Sequence, residues 1–355
     1  MNMHTEDLPP FSAGSTGTDT TNDELTGPHS LACMEVWGGN EGIDSAVEVP
    51  GLLAYVYSRP YKGAKAGGDV HYVSSCGTGR ITRIMIADVA GHGDKVADLA
   101  RKLRDLMRQY INHLDQTKFV SALNREFSLA STAGRFATAI AATYWAETDF
   151  LVASNAGHPR PLWYRAKTKS WRVLKDKPRE EDGVTVSASN LPLGIDDVAT
   201  YDQFAIKLQP GDMIVFYSDS LTEAINPEGE MLNESGLLGL IQQLDTRDPR
   251  RLGRQLTERI VAFCGGKSPE DDMTVMAMAC TGRKAPATAA SQFGALVSFV
   301  KTLAGSWRKN AVPVPWPELS VVNLLGPIIK PINRRWGGDM RQGEVRVGDA
   351  AKSKG

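Results

Sequence analysis

Short apolar runs separated by Gly, Asp and Asn dominate the middle of the chain. LLAYVY (52–57), RIMIADV (83–89), ATAIAATYW (137–145) and MIVFYSD (213–219) have the length and the β-branched and aromatic content of strands. Several run into Gly or Asp, residues that end a strand and turn the chain. Between these runs the period changes. Val96, Leu99, Leu103, Leu106, Met107 and Tyr110 recur at spacings of three and four, as do Phe119, Val120, Leu123 and Phe127. Each set predicts a helix with one apolar stripe to lay on a sheet. Two further helices are expected over 235–244 and 249–264. Strands and helices come in blocks rather than in strict alternation, which favours an α+β fold over a doubly wound parallel sheet.

The same patterning divides the chain. Residues 1–30 are rich in Ser, Thr, Gly, Asp and Pro without an apolar period. Such a composition buries too little surface to offset chain entropy, so a flexible N-terminal arm is expected. The dense globular pattern spans 31–281. Residues 282–355 form a linker and C-terminal extension: an Ala-rich stretch (KAPATAAS), the apolar FGALVSFVKTLAG, then a Pro-rich basic segment carrying Trp307, Trp316 and Trp336. Aromatic residues interleaved with Arg and Lys suit an interfacial or nucleic-acid surface. Prolines interrupt any amphipathic helix there, so a tail wrapped on the domain is the favoured reading.

Composition acts by exclusion. Lys plus Arg (40) and Asp plus Glu (41) nearly cancel, so global charge marks neither a nucleic-acid binder nor a protein drawn to anionic membranes. Cys33, Cys76, Cys264 and Cys280 lie far apart with no CxxC pair, against a structural zinc site or a disulfide framework. The start, MNMHTEDLPPFSAG, lacks the basic and apolar regions of a signal peptide, and no stretch reaches transmembrane length. A cytoplasmic location is expected.

The candidate chemistry is acidic. Asp69 follows Gly67-Gly68, Asp88 opens DVAGHG (88–93), Asp219 lies in Ser218-Asp219-Ser220, and Asp271 opens DDMT (271–274), each placed at a strand end. A strand holds a carboxylate rigidly, and a neighbouring glycine lets backbone and ligand approach closely. Carboxylates with a backbone carbonyl are what hard cations take as ligands. Singly, each Asp reads as a turn residue. Four such points from distant positions can cradle two ions, and a carboxylate ending an apolar strand costs desolvation unless something pairs with it.

Seven blocks carry a family resemblance: GGD (67–69), DVAGHG (88–93), FATAIAATY (136–144), SNAGHPRPL (154–162), LPLGI (191–195), GDMIVFYSDSLTEA (211–224) and DDMTVMAM (271–278). In this order and spacing the chain resembles the PPM-type metal-dependent protein phosphatases, specifically their SpoIIE-like bacterial branch, over about 31–280. The resemblance implies an α-β-β-α sandwich of two antiparallel sheets flanked by helices, with a metal centre at one end of the sheets. It assigns the metal-bridging aspartate to Asp88, a backbone carbonyl ligand to Val89, further metal-binding aspartates to Asp219 and Asp271, and the first motif's acid to Asp69. Asp272 is left to cap or orient. Asp88 and Asp219 are the expected catalytic pair.

It further implies a protein-serine/threonine phosphatase using Mn²⁺ or Mg²⁺, two ions in number, whose bound hydroxide attacks phosphorus in line. The implied partner is a phosphorylated protein, by default an anti-sigma-factor antagonist in a partner-switching system. His92 and His158 suit general acids and turn-stabilising roles alike. Tyr72 stands where the branch often has an acid, and Ser220 where it has Gly, so two alternatives stay open. One is a noncatalytic binding module of the same fold; the other is a metal-dependent phosphohydrolase acting on a small molecule. The C-terminal extension is the candidate regulator of either.

Overall fold

Alternating inward and outward positions let two sheets share one interior. The computed structural model describes residues 29–30, 36–75, 81–91, 94–110, 115–131, 134–174 and 190–283. The first half contains β1 (His29–Ser30), β2 (Val36–Glu41), β3 (Ile43–Val49), β4 (Leu52–Arg59), β5 (Ala66–Ser75) and β6 (Ile81–Val89), then helices α1 (Asp94–Tyr110) and α2 (Gln116–Ala130). Strands β7 (Ala137–Trp145), β8 (Phe150–Ala156), β9 (Leu162–Arg165), β10 (Ser170–Val173), β11 (Phe204–Lys207) and β12 (Met213–Tyr217) follow. Helices α3 (Asn233–Ile241) and α4 (Pro249–Phe263) precede the last strand, β13 (Met273–Cys280). The expected N-terminal arm to residue 28, Cys33, Cys76, His92 and the extension beyond Arg283 lie outside the described residues.

One sheet has the order β1-β3-β4-β13-β12-β9-β10 and the other β11-β8-β7-β6-β5-β2. Pairings are antiparallel except between β1 and β3, a two-residue parallel contact that departs from the all-antiparallel expectation. Helices α1 and α2 cover the six-stranded sheet and α3 and α4 the seven-stranded one, giving the expected α-β-β-α layering. The helices lie where the apolar period put them, with α3 starting and stopping a little earlier than predicted. Capping sets two of the starts: Asp115 accepts from the Thr117 and Lys118 N–H groups ahead of α2, and Asp248 accepts from Arg250 N–H with Pro249 opening α4.

Strand alternation sorts side chains into three apolar layers. Along β6, Ile84 and Ile86 face the inter-sheet core with Val56, Phe216 and Met276. Met85, Ala87 and Val89 point the other way, against Val96 and Leu103 of α1 and Phe119 and Leu123 of α2. Val215 and Val275 meet Leu252, Leu256 and Ile260 of α4 on the far side. Full burial of each large aliphatic side chain contributes about 1.5–3 kcal/mol.

The inter-sheet face is apolar along most of its length and polar at one end. Continuing the inward alternation, Val56 leads to Ser58 on β4, Val73 back to His71 and Asp69 on β5, and Ile86 to Asp88 on β6. Ala153 leads to Asn155 on β8, Phe216 to Ser218 after β12, and Met276 back to Thr274 on β13. Ser58, Asp69, His71, Asn155, Ser218 and Thr274 are all buried. The registers place these ends together: Asp69 opposite Asp88, Asp88 opposite Thr138, and Ser58 opposite Thr274. The candidate site is the polar end of a shared core.

Candidate metal centre

Two aspartates on neighbouring strands face one another at this end. Asp69 on β5 and Asp88 on β6 are directly paired in the antiparallel register. The Asp69 carboxylate is only 2% exposed, meets no cation among the described residues, and has only the Thr274 and Ser218 hydroxyls to ease its charge. Burial, and after it the facing Asp88, pushes Asp69 well above the usual carboxylate range. Asp88 is pushed up to about 8, first by burial and then by the carboxylates of Asp219, Asp271, Asp272 and Glu223. Asp219 is raised to about 6 by burial, Glu223 and Asp271. Like charges gathered in a partly dry cleft are a cost that a bound cation removes.

The structure sharpens where each aspartate sits. Asp88 is the penultimate residue of β6, as a strand-end reading requires. Asp69 lies inside β5 rather than at its end, and Asp219 lies two residues past β12, opening a single 3-10 turn, Asp219–Leu221. Asp271 is an exposed residue ahead of β13 whose Oδ1 accepts the Asp272 N–H at 2.8 Å. Among the described residues no group of three or more His, Cys, Asp or Glu side chains is closed tightly enough to hold an ion as it stands. The donor chemistry fits a hard divalent cation, with Asp69, Asp88, Asp219 and Asp271 as the carboxylates that would draw in around it.

Asp272 has a different task from its neighbour. Buried, it accepts from Tyr61 N–H at 2.6 Å and Gly68 N–H at 2.5 Å, with Asp69 N–H at 3.4 Å. It therefore orients the loop and strand that carry Asp69. The glycines of GGD follow from this packing: a Cβ on Gly67 would strike the Asp272 carboxylate, and one on Gly68 would lie 2.7 Å from the Val89 carbonyl oxygen. Val89, the expected backbone ligand, thus has its carbonyl against the Gly68 backbone, where a side chain on residue 68 would obstruct it.

The two sequence departures sit in different surroundings. Tyr72 faces the helix layer, packed with Val70 and α1, on the opposite side of β5 from Asp69. Ser220 is not among the described residues with positive φ, so its turn makes no demand for glycine. His158 is buried: its Nδ1 lies 2.8 Å from Thr138 Oγ1, and its main chain is clasped by Asn155, which accepts from His158 N–H and donates to His158 O. Burial pushes His158 down to about 3, so it is neutral at pH 7 and its geometry is that of a turn-stabilising residue supporting the strand opposite Asp88. Sequence reasoning passed over Glu223 and Thr138. Glu223 sits inside the quoted SDSLTEA block, but nothing in its spacing showed that its charge acts on Asp88 and Asp219.

A family profile described as stage II sporulation protein E (SpoIIE) matches residues 78–281, more than half of the chain. The chain belongs to the SpoIIE family. Asp88, Val89, Asp219 and Asp271 fall inside the matched region, and Asp69 precedes it. Over 163 residues the chain is 29% identical to the phosphoserine phosphatase RsbU of Bacillus subtilis (strain 168), which is 45% of this chain and 44% of that relative's length. The chain thus spans less than half of the curated relative it matches. Its fold is similar to the RsbU and RsbW domains of a Mycobacterium tuberculosis protein, with a TM-score of 0.55, 22% identity, and coverage of 72% of this chain and 69% of that one. It is also similar to the phosphatase domain and regulatory fragment of SpoIIE from Bacillus subtilis, with a TM-score of 0.52, 17% identity, and coverage of 70% and 64%. These likenesses show that the SpoIIE-family chain shares their fold.

Proposed function

We propose that this SpoIIE-family chain is a metal-dependent serine/threonine protein phosphatase that removes phosphate from a regulatory partner protein in a partner-switching system. One observation carries the reading. Asp69, buried with only two hydroxyls to ease its charge, faces Asp88 across β5 and β6, and further carboxylates act on Asp88. Clustered acids of this kind are destabilising by themselves and become an asset with Mn²⁺ or Mg²⁺ present. Bound ions supply an activated water and offset charge on the phosphoryl oxygens.

The chain's own residues do the rest. Asp88, opposite Asp69, would be a carboxylate ligand to the ions. Asp219 and Asp271 approach from the second sheet, and the Val89 carbonyl lies beside the Gly68 backbone. The partner is proposed to be an anti-sigma-factor antagonist, supported by family membership and by the likeness to a phosphoserine phosphatase. A cytoplasmic setting is part of the proposal. Cys264 and Cys280 are free thiols, and no helix among the described residues is long and apolar enough to cross a membrane.

The test is hydrolysis of a phosphoserine protein and of an aryl phosphate with Mn²⁺ or Mg²⁺, alongside Asp88→Ala and Asp219→Ala. Metal-dependent release of phosphate from the phosphoprotein, abolished in both variants, is the expected result. No turnover with either metal sinks the phosphatase reading in favour of a binding module. Turnover on small esters alone moves the assignment to a small-molecule phosphohydrolase. Phosphoproteomics of a strain lacking the protein then names the substrate.

A further inference from the structure

The peptide unit joining Gly67 to Gly68 is gripped at both of its polar atoms. Its N–H, on Gly68, donates to Asp272 Oδ2 at 2.5 Å. Its carbonyl, on Gly67, accepts from Asn40 Nδ2 at 2.9 Å. The same Asn40 nitrogen donates to the Ala97 carbonyl at 3.0 Å, in the first turn of α1. Asn40 is 3% exposed and lies where the β2–β5 pairing slips, from Gly39 opposite His71 to Glu41 opposite Ala66. The extra residues belong to β5, so Asn40 stands alone across from residues 67–70, and its carboxamide nitrogen donates to two carbonyls instead of lying over a regular ladder.

We propose that Asn40 is a positioning residue: with Asp272 it clamps the Gly67–Gly68 peptide and so sets Asp69 against Asp88, while tying that peptide to the start of α1. The clamp explains why a glycine pair with no side chains of its own can hold a carboxylate in a fixed place. A diglycine segment has wide conformational freedom, and two buried side chains remove it. The link to α1 has a second effect. Asp88 and Ala97 are nine residues apart, so the turn after β6 and the strand carrying Asp69 are fixed to one another through a single amide group.

For metal binding the inference rests on the proposed metal centre, and the experiment separates the two. Hydrogen exchange of the Gly68 amide is followed in the metal-free full chain, and Mn²⁺ affinity is measured by titration calorimetry, for wild type, Asn40→Ala and Asn40→Asp. Asn40→Ser is the substitute if either variant fails to fold. Gly253→Ala, in the second turn of α4, whose added Cβ presses on the Tyr55 ring of β4, is the control for general destabilisation. Gly68 exchange is expected to quicken by about tenfold or more in the Asn40 variants, although its own acceptor Asp272 is intact, and to stay near wild type in Gly253→Ala. Mn²⁺ affinity should fall by about tenfold or more in Asn40→Ala, the equivalent of one lost hydrogen bond. It should fall at least as far in Asn40→Asp, which turns an oxygen towards the two carbonyls. Unchanged Gly68 exchange in Asn40→Ala overturns the clamp whatever the metal does. Unchanged Mn²⁺ affinity, with wild type binding normally, overturns its role in positioning Asp69. If wild type binds no Mn²⁺, the metal centre itself is wrong, and the exchange result alone decides the clamp.

Discussion

Replacing Asp88 with Asn should make the metal-free protein more stable while destroying its affinity for metal. Asp88 is pushed from an ordinary 3.8 up to about 8 by burial and four neighbouring carboxylates. Between those limits the folded chain retains a proton that the unfolded chain has released. Folding is therefore opposed increasingly as pH rises, by about 1.4 kcal/mol per pH unit. From 3.8 to pH 7 this amounts to a ceiling of about 4 kcal/mol, reduced in practice by water entering the cleft. The Asp88→Asn change removes the ionisation at nearly constant volume. Urea unfolding of both proteins in EDTA at pH 5, 6.5 and 8 should show the wild type falling progressively behind the Asp88→Asn variant, with the smallest difference at pH 5 and the largest at pH 8. Saturating Mn²⁺ should reverse the order, because it stabilises the aspartate protein alone. A stability difference that does not grow with pH would refute the electrostatic account. So would an Asp88→Asn variant stabilised by Mn²⁺ as much as wild type.

Asp271 and Asp272, adjacent in sequence, should part company. Asp272→Ala strips the acceptor from two short backbone hydrogen bonds and should cost about 2–5 kcal/mol by urea unfolding, whereas exposed Asp271→Ala should cost under about 1 kcal/mol and act on Mn²⁺ affinity. Equal losses in the two would contradict the division of labour. His71 and His158 are held neutral by burial, pushed down to about 4 and about 3. The unfolded chain takes up their protons below about pH 6.5 and the folded chain does not, so each should remove about 1.4 kcal/mol of stability per pH unit from there down towards pH 4. The raised Asp69, Asp88 and Asp219 act in the opposite direction, so the measure is the stability difference between wild type and His158→Gln by urea unfolding: a difference that does not change between pH 6.5 and 4.5 would exclude this. At pH 7 Mn²⁺ uptake should displace protons from both raised carboxyls, Asp88 and Asp69, read as a dependence of the binding heat on buffer ionisation enthalpy, and the Asp88 share should shrink as pH is raised past 8.

Much of this protein was legible in the chain, because strand and helix periods are local properties. The run ATAIAATYW coincides with β7, and the spacing of Val96 to Tyr110 and of Phe119 to Phe127 places α1 and α2 within a few residues. The acidic motifs were legible for the same reason, since an aspartate closing an apolar strand stands out without knowledge of its neighbours. What the sequence could not rank was adjacent residues of one type. Asp271 is exposed and Asp272 buried against the loop and strand before Asp69, a difference created by residues some two hundred positions away.

The sequence by itself determined the four helices, strands such as β4, β6, β7 and β12, and the α+β class, and it singled out the acidic motifs. Tertiary structure decided which acids meet, because register alone sets Asp69 opposite Asp88 and turns Tyr72 to the other face of the same strand. It also decided the role of Asn40, a polar residue in an unremarkable Gly-Gly-Asn run until a slip in strand pairing aims it at two carbonyls from elsewhere in the chain. Local propensity is written in neighbouring residues. The pairing of carboxylates, and the electrostatic cost that calls for a cation, arise from side chains that only a folded core brings into one low-dielectric space.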